Sequence, residues 1–321
     1  MRDYIYEVAR IRVMESKLLT KADYEQLLAE PNVPAALSYL DDKGWNGDAS
    51  SPEEMLRGEE EATWELMHEL LKDSGELDIL RLTKDFHNLK AAVKKLYTDS
   101  PLPPERLYLS GGTIPAEEIR EAVREQDFDR LPASMAAVAK EATDVLAKTG
   151  DGQLCDSLID KAALAALIRA GEENAEPVLK EYATLTAVSA DVRIALRAAA
   201  SGKDRETILE MLVPVEGLDL SALAEAALEG RSAAADYLKN TPYEALSASL
   251  SAGMSAFECA CDNLLIRQIR PQLSESMTLG PLAAYVIARE SEIKCVRLLL
   301  TGKANALPEA LLRESLRESY V

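Results

Sequence analysis

The chain has 321 residues, 47% of them hydrophobic but only 5% aromatic, and carries a formal net charge of −19. So much apolar material excludes a disordered chain, and the length suits two or three domains. The acidic balance makes nucleic acid and anionic membranes poor partners. Alanine and leucine outnumber the β-branched and aromatic residues that favour strands, so helix is expected almost throughout.

Taken in chain order, the opening residues hold acids and no apolar core of a signal peptide, so none is expected. Arg10 and Arg12 fall in an early helix. Thr20 is placed to cap a helix over 21–28, and Ser51-Pro52-Glu53-Glu54 reads as a strong helix start, with Ser at the N-cap, Pro at N1 and Glu at N3. Between them, Asp41 to Asp48 is rich in turn residues. Leu82, Phe86, Leu89, Val93 and Leu96 recur at helical spacing and draw one apolar stripe. Pro101-Leu102-Pro103-Pro104 and Gly111-Gly112 bracket a boundary, after which Thr113 reads as another cap. Gly150-Asp151-Gly152 divides the middle of the chain. A second stripe runs through Val178, Tyr182, Leu185, Val192, Leu196 and Ala199, and ends at Ser201-Gly202-Lys203. Pro214-Val215-Glu216-Gly217 marks a further boundary, and Ser221 a further cap. A third stripe, Leu279, Leu282, Val286, Ile293, Val296 and Leu300, ends at Thr301-Gly302-Lys303. The last two stripes lapse once each, at Ser189 and at Arg289/Glu290. No run of about 18 apolar residues is present to span a membrane.

These segments echo one another. The acidic starts Asp85, Asp191 and Glu292 recur at intervals of about a hundred residues, as do the hydroxyl starts Thr20, Thr113 and Ser221. The expectation is an all-α fold of three similar helical units, at 1–108, 109–217 and 218–321, packed closely through short connections.

Concentrated chemistry is scarce. Glu65 and His68 match the Glu-x-x-His of helical di-iron proteins, but that site needs a second such motif, and His87 has Lys84 where the glutamate should be. Cys155, Cys259, Cys261 and Cys295 show neither a disulfide framework nor paired C-x-x-C spacing, so buried reduced thiols are expected. The two Gly-Lys pairs lack the first glycine of a phosphate loop and read as helix C-caps. No catalytic, cofactor-binding or metal-binding residue is expected. Recurring cations stand out instead: Arg10 and Arg12 early, then Lys90, Arg197 and Arg297 at similar places in the echo. They are either ordinary surface residues or the lining of one common surface.

Three stretches together carry a family resemblance. Arg10-Ile11-Arg12-Val13-Met14-Glu15-Ser16-Lys17-Leu18-Leu19 resembles the opening of the C subunits of V/A-type ATP synthases, relatives of the eukaryotic V-ATPase d subunit. Asp85-Phe86-His87-Asn88-Leu89-Lys90 is similar to that family's D-x-x-N-L-K. Glu292 to Arg297, with Gly302-Lys303 and the Tyr320-Val321 ending, is similar to its closing E-x-x-N-I-R…G-K…Y-V. Cys295 stands where that pattern has asparagine, and Ile194 at the middle equivalent, so neither supplies a side-chain amide. The resemblance implies three helical units around a pseudo-threefold axis, forming a funnel that is not an enzyme. It implies a cytoplasmic position, peripheral to the membrane, joining the central shaft subunits to the membrane proteolipid ring and passing torque between them. Arg10, Arg12, Lys90, Arg197 and Arg297 are then candidates for a shaft-facing surface, with no nucleic acid, small-molecule substrate or cofactor. The rival expectations are a free-standing helical-repeat adaptor that grips a partner helix, and a metalloprotein built on Glu65 and His68.

Overall fold

A computed structural model describes residues 3–45, 49, 51–72, 75–97 and 107–321, and these are helical with no strand. Among the described residues sixteen α-helices follow in chain order: α1 (Ile5–Glu15), α2 (Lys21–Ala29), α3 (Val33–Asp42), α4 (Pro52–Leu71), α5 (Leu82–Lys95), α6 (Ala116–Glu125), α7 (Ala133–Thr149), α8 (Gly152–Glu173), α9 (Pro177–Ala200), α10 (Arg205–Met211), α11 (Leu220–Glu229), α12 (Arg231–Leu238), α13 (Ser247–Ala252), α14 (Met254–Ile269), α15 (Gly280–Ala304) and α16 (Glu309–Ser315). The Pro101–Pro104 boundary and residues 46–48 of the expected turn lie outside the described residues.

Two compact units divide the chain. One comprises Met1–Glu76, Glu176–Glu181 and Ala245–Val321; the other comprises Leu77–Ala175 and Tyr182–Glu244. In the first, α15 is the central element, because its residues 280–288 are buried on every side. Its later half packs Ile293, Val296, Leu299 and Leu300 against Leu27 and Leu28 of α2, Leu40 of α3 and Leu56 of α4. In the second, Phe86, Leu89 and Val93 of α5 meet Ile119 and Val123 of α6, Met135 and Val138 of α7 and Ile159 of α8. The first and third stripes therefore face these cores, apart from Leu96, which follows the end of α5 and is exposed; in the second, Val178, Leu185 and Val192 are buried while Tyr182, Leu196 and Ala199 are partly buried.

Helix ends follow local chemistry. Thr20 closes a full capping box with Asp23, and the Ser51 hydroxyl accepts the Glu54 N–H at 3.2 Å. Gly202 is left-handed beyond the end of α9, and the Lys203 N–H returns to the Ala198 carbonyl at 3.1 Å, as a Schellman motif requires. Three expected caps are corrected. The Thr113 hydroxyl donates to Asp85, and α6 starts later, at Ala116, behind Pro115. Asp219 rather than Ser221 caps α11, accepting the N–H groups of Ser221 and Ala222 at 2.9 and 3.1 Å. Gly302 does not end its helix, which runs on to Ala304; a Cβ there would lie 2.2 Å from the Leu312 side chain, so glycine permits a close helix crossing. Lys303 reaches across to the end of α2 and donates to the Leu28 and Glu30 carbonyls at 2.9 and 2.5 Å.

Candidate interaction site

The echoed acids are buried, one on each long helix α5, α9 and α15, and each accepts a backbone N–H from a connecting segment. Asp85 accepts the Thr113 hydroxyl at 2.5 Å and the Ile114 N–H at 3.3 Å. One turn before it, Arg81 donates to the carbonyls of Gly111 and Gly112. A Cβ at Gly112 would lie 2.2 Å from the Asp85 carboxylate, so only glycine lets the segment come this close. Asp191 accepts the Val213 N–H at 3.3 Å. Glu292 accepts the Leu19 N–H at 3.3 Å and the Arg289 guanidinium at 2.5 Å. Arg289 also pairs with Glu59 and stacks over Trp45, 4.6 Å from the ring centroid. Asp85 thus holds the segment before α6, Asp191 the segment between α10 and α11, and Glu292 the segment between α1 and α2. Burial raises all three carboxyls above their ordinary range; Thr113 and Ile114 oppose that rise at Asp85, and Arg289 opposes it at Glu292.

Three residues beyond each acid the copies differ. Asn88 makes a paired contact: its amide nitrogen donates to the Leu109 carbonyl at 2.9 Å, and its amide oxygen accepts the Leu109 N–H at 2.7 Å. Ile194 is simply buried. The Cys295 sulfur accepts the Arg317 N–H at 3.4 Å and so keeps one bond of the pair. The adjacent Glu318 N–H goes instead to Asn263 on α14, at 2.7 Å. The closing residues 316–321 are thereby tied down, with Arg270 donating to the Ser319 carbonyl at 2.7 Å and Arg317 to Asp262 at 2.9 Å.

Against this framework the five expected cations separate. Arg12 donates to Glu15 at 2.6 Å and to the carbonyls of Gln272 and Glu275. Lys90 is partly buried and paired with Asp160. Arg10 meets Glu69 at 3.0 Å and the Tyr6 hydroxyl at 3.2 Å near the surface. Arg197 and Arg297 are exposed, and among the described residues no side chain pairs with either. Arg10, Arg12 and Arg297 belong to the first unit, Lys90 and Arg197 to the second. Neither Arg81 nor Arg289 stands out in the sequence as a contact-making residue. The signal for Arg289 was the lapse in its stripe, which marks a buried ion pair rather than a break in the core.

Glu65 and His68 are both exposed on α4, and the described residues hold no cluster of three or more His, Cys, Asp or Glu placed to bind a metal. All four cysteines are buried, and none forms a disulfide. No described helix is long and apolar enough to cross a membrane.

Residues 8–315 match the family model described as ATP synthase (C/AC39) subunit. The V-type ATP synthase C subunit of Thermus thermophilus is 26% identical, over 97% of this chain and 98% of that protein. The V-type sodium ATPase C subunit of Enterococcus hirae is 23% identical over 97% of each. The A-type ATP synthase C subunit of Desulfurococcus is 25% identical, over 97% of this chain and 90% of that one.

Proposed function

Because the chain belongs to the ATP synthase (C/AC39) subunit family, we propose that it is the central-stalk coupling subunit of a rotary V/A-type ATPase or ATP synthase. It joins the rotor shaft to the membrane proteolipid ring, stays peripheral to the membrane on the cytoplasmic side, and transmits torque without catalysing a reaction. Its three repeat units, at 1–108, 109–217 and 218–321, surround a pseudo-threefold axis as a funnel.

The observation that carries this reading is the clamp repeated on three long helices, each tying its helix to a connecting segment elsewhere in the chain. A torque coupler has to resist shear between its parts, and buried hydrogen bonds resist it better than apolar contact alone, because they fix direction and register. Two further facts support it. The likeness to these rotary-ATPase relatives runs almost end to end, and Tyr4 lies between the segments that precede α5 and α15, with its hydroxyl on Glu76 at 2.5 Å and its N–H on the Met277 carbonyl.

For the shaft-facing surface we single out Arg197 and Arg297. They are exposed and at nearly matching places in the echo, whereas Arg12 and Lys90 already hold partners within the chain. Exposed cations on an acidic protein serve orientation and association rate more than stability. The test is co-purification with shaft and proteolipid subunits, together with the double replacement Arg197→Glu/Arg297→Glu. The expected result is association of the native chain with both partners, and loss of shaft association by the variant at an unchanged melting temperature. A native chain that associates with neither partner would refute the coupling role. A variant that retains the shaft would refute only this assignment.

A further inference from the structure

The three clamps are not chemically equivalent. We propose that Asp191 is a proton-operated joint: with its carboxyl neutral, α9 and the segment 212–215 are locked together, and ionisation lets water in and loosens that segment. This goes beyond the coupling role and holds whether or not that role is correct.

The three acids differ in what surrounds them. Asp85 has two hydroxyl or backbone donors, with Arg81 one turn earlier on its helix. Glu292 has Arg289 one turn earlier. At the same distance before Asp191 stand Ala187 and Val188, both buried. Asp191 is fully buried; its Oδ1 accepts the Val213 N–H, while Oδ2 meets no hydrogen-bond donor among the described residues. A buried carboxylate without a counter-charge is costly, and the protein relieves that cost by keeping the proton or by admitting water.

Charged groups on the neighbouring elements do not supply the missing partner. From α8, Lys161 is the cation whose charge reaches Asp191, but its ammonium donates to the Glu210 carbonyl at 2.5 Å. On α10, Arg205 is turned to Glu225 and Ser221, while Glu206 and Glu210 are exposed. The segment itself presents apolar Leu212, Val213 and Val215, with Ile208 buried beside it on α10. On α9, Arg193 and Arg197 are both exposed. Burial accordingly raises the carboxyl to about 7, with Val213 and Lys161 opposing the rise only in part. Such a group changes charge near neutral pH, unlike an ordinary aspartate.

Amide hydrogen exchange on the full-length chain at pH 6 and pH 8, corrected for the intrinsic pH dependence of exchange, tests the joint. If the carboxyl returns to its ordinary value when the segment opens, proton linkage expects protection at Val213 to fall about tenfold over that interval. The isosteric Asp191→Asn variant should show no such fall. Ile114, whose clamp is compensated, is the internal reference. An equal fall in native and variant chains would overturn the proposal. Should the variant fail to fold, the native chain still decides: protection at Val213 must drop relative to Ile114, and parallel behaviour of the two sites would overturn it.

Discussion

At Glu292, burial favours the neutral acid while Arg289 favours the carboxylate, and the balance depends on one guanidinium shared with Glu59 beneath Trp45. Arg289→Ala should therefore destabilise by about 3–5 kcal/mol in denaturant unfolding, since it removes the guanidinium from the buried Glu292 and from the partly buried Glu59. Adding Glu292→Gln to that variant should recover part of the loss; no recovery would mean that Arg289 acts through packing on Trp45 instead. Leu89 tests the apolar side of the same design. It is fully buried among α5, α6, α7 and α8, and Leu89→Ala should cost about 2–5 kcal/mol. An unchanged unfolding midpoint would place the stripe on the wrong face. At this scale the acids were visible in the sequence as echoes, because helical spacing and type repeat together. Their partners were not. Arg289 read as an interruption, since a linear pattern shows that a charge enters a core but not which distant charge meets it.

The long helices were legible as elements because sustained 3.6-residue periodicity is a strong signal. Several of their ends were not. Thr113 and Ser221 have the composition of caps, yet Thr113 is drawn to a buried acid and Ser221 lies beyond the residue that caps α11. A hydroxyl bonds the best acceptor within reach, and tertiary packing can bring in a better one than the nearest helix end. Gly302 shows the same limit: a glycine near the end of an apolar stripe suits a C-cap, but here it admits Leu312 of α16. The closing segment 316–321 is held by distant residues, among them Asn263, Arg270, Asp262 and Cys295. Deleting residues 316–321 should lower the melting temperature and expose Cys259 and Cys295 to a thiol reagent. Unchanged thiol reactivity would show that the segment does not cover them.

For the whole molecule, two groups of carboxyls pull stability in opposite directions as pH changes. Burial works against ionisation of Asp23, but Lys43, Thr20 and Tyr39 together hold it well below the usual carboxylate range. Its contribution is present above the ordinary value of about 4 and is lost as pH falls further. Asp191 and Glu292 are raised to about 7, so their contributions are complete below about 4 and are lost as pH rises through about 7. Thermal midpoints from pH 3 to 9 should thus peak on the acid side of neutrality, at about pH 4 to 5, and a maximum at pH 8 would contradict these assignments. The sequence by itself determined the helical class, the recurrence of one acidic helix in each third of the chain and the family, because composition, periodicity and order are properties of the chain alone. Only the tertiary structure decided which charges are buried, which cations remain exposed and which acid lacks a counter-charge. Those depend on groups far apart in sequence meeting where water is excluded.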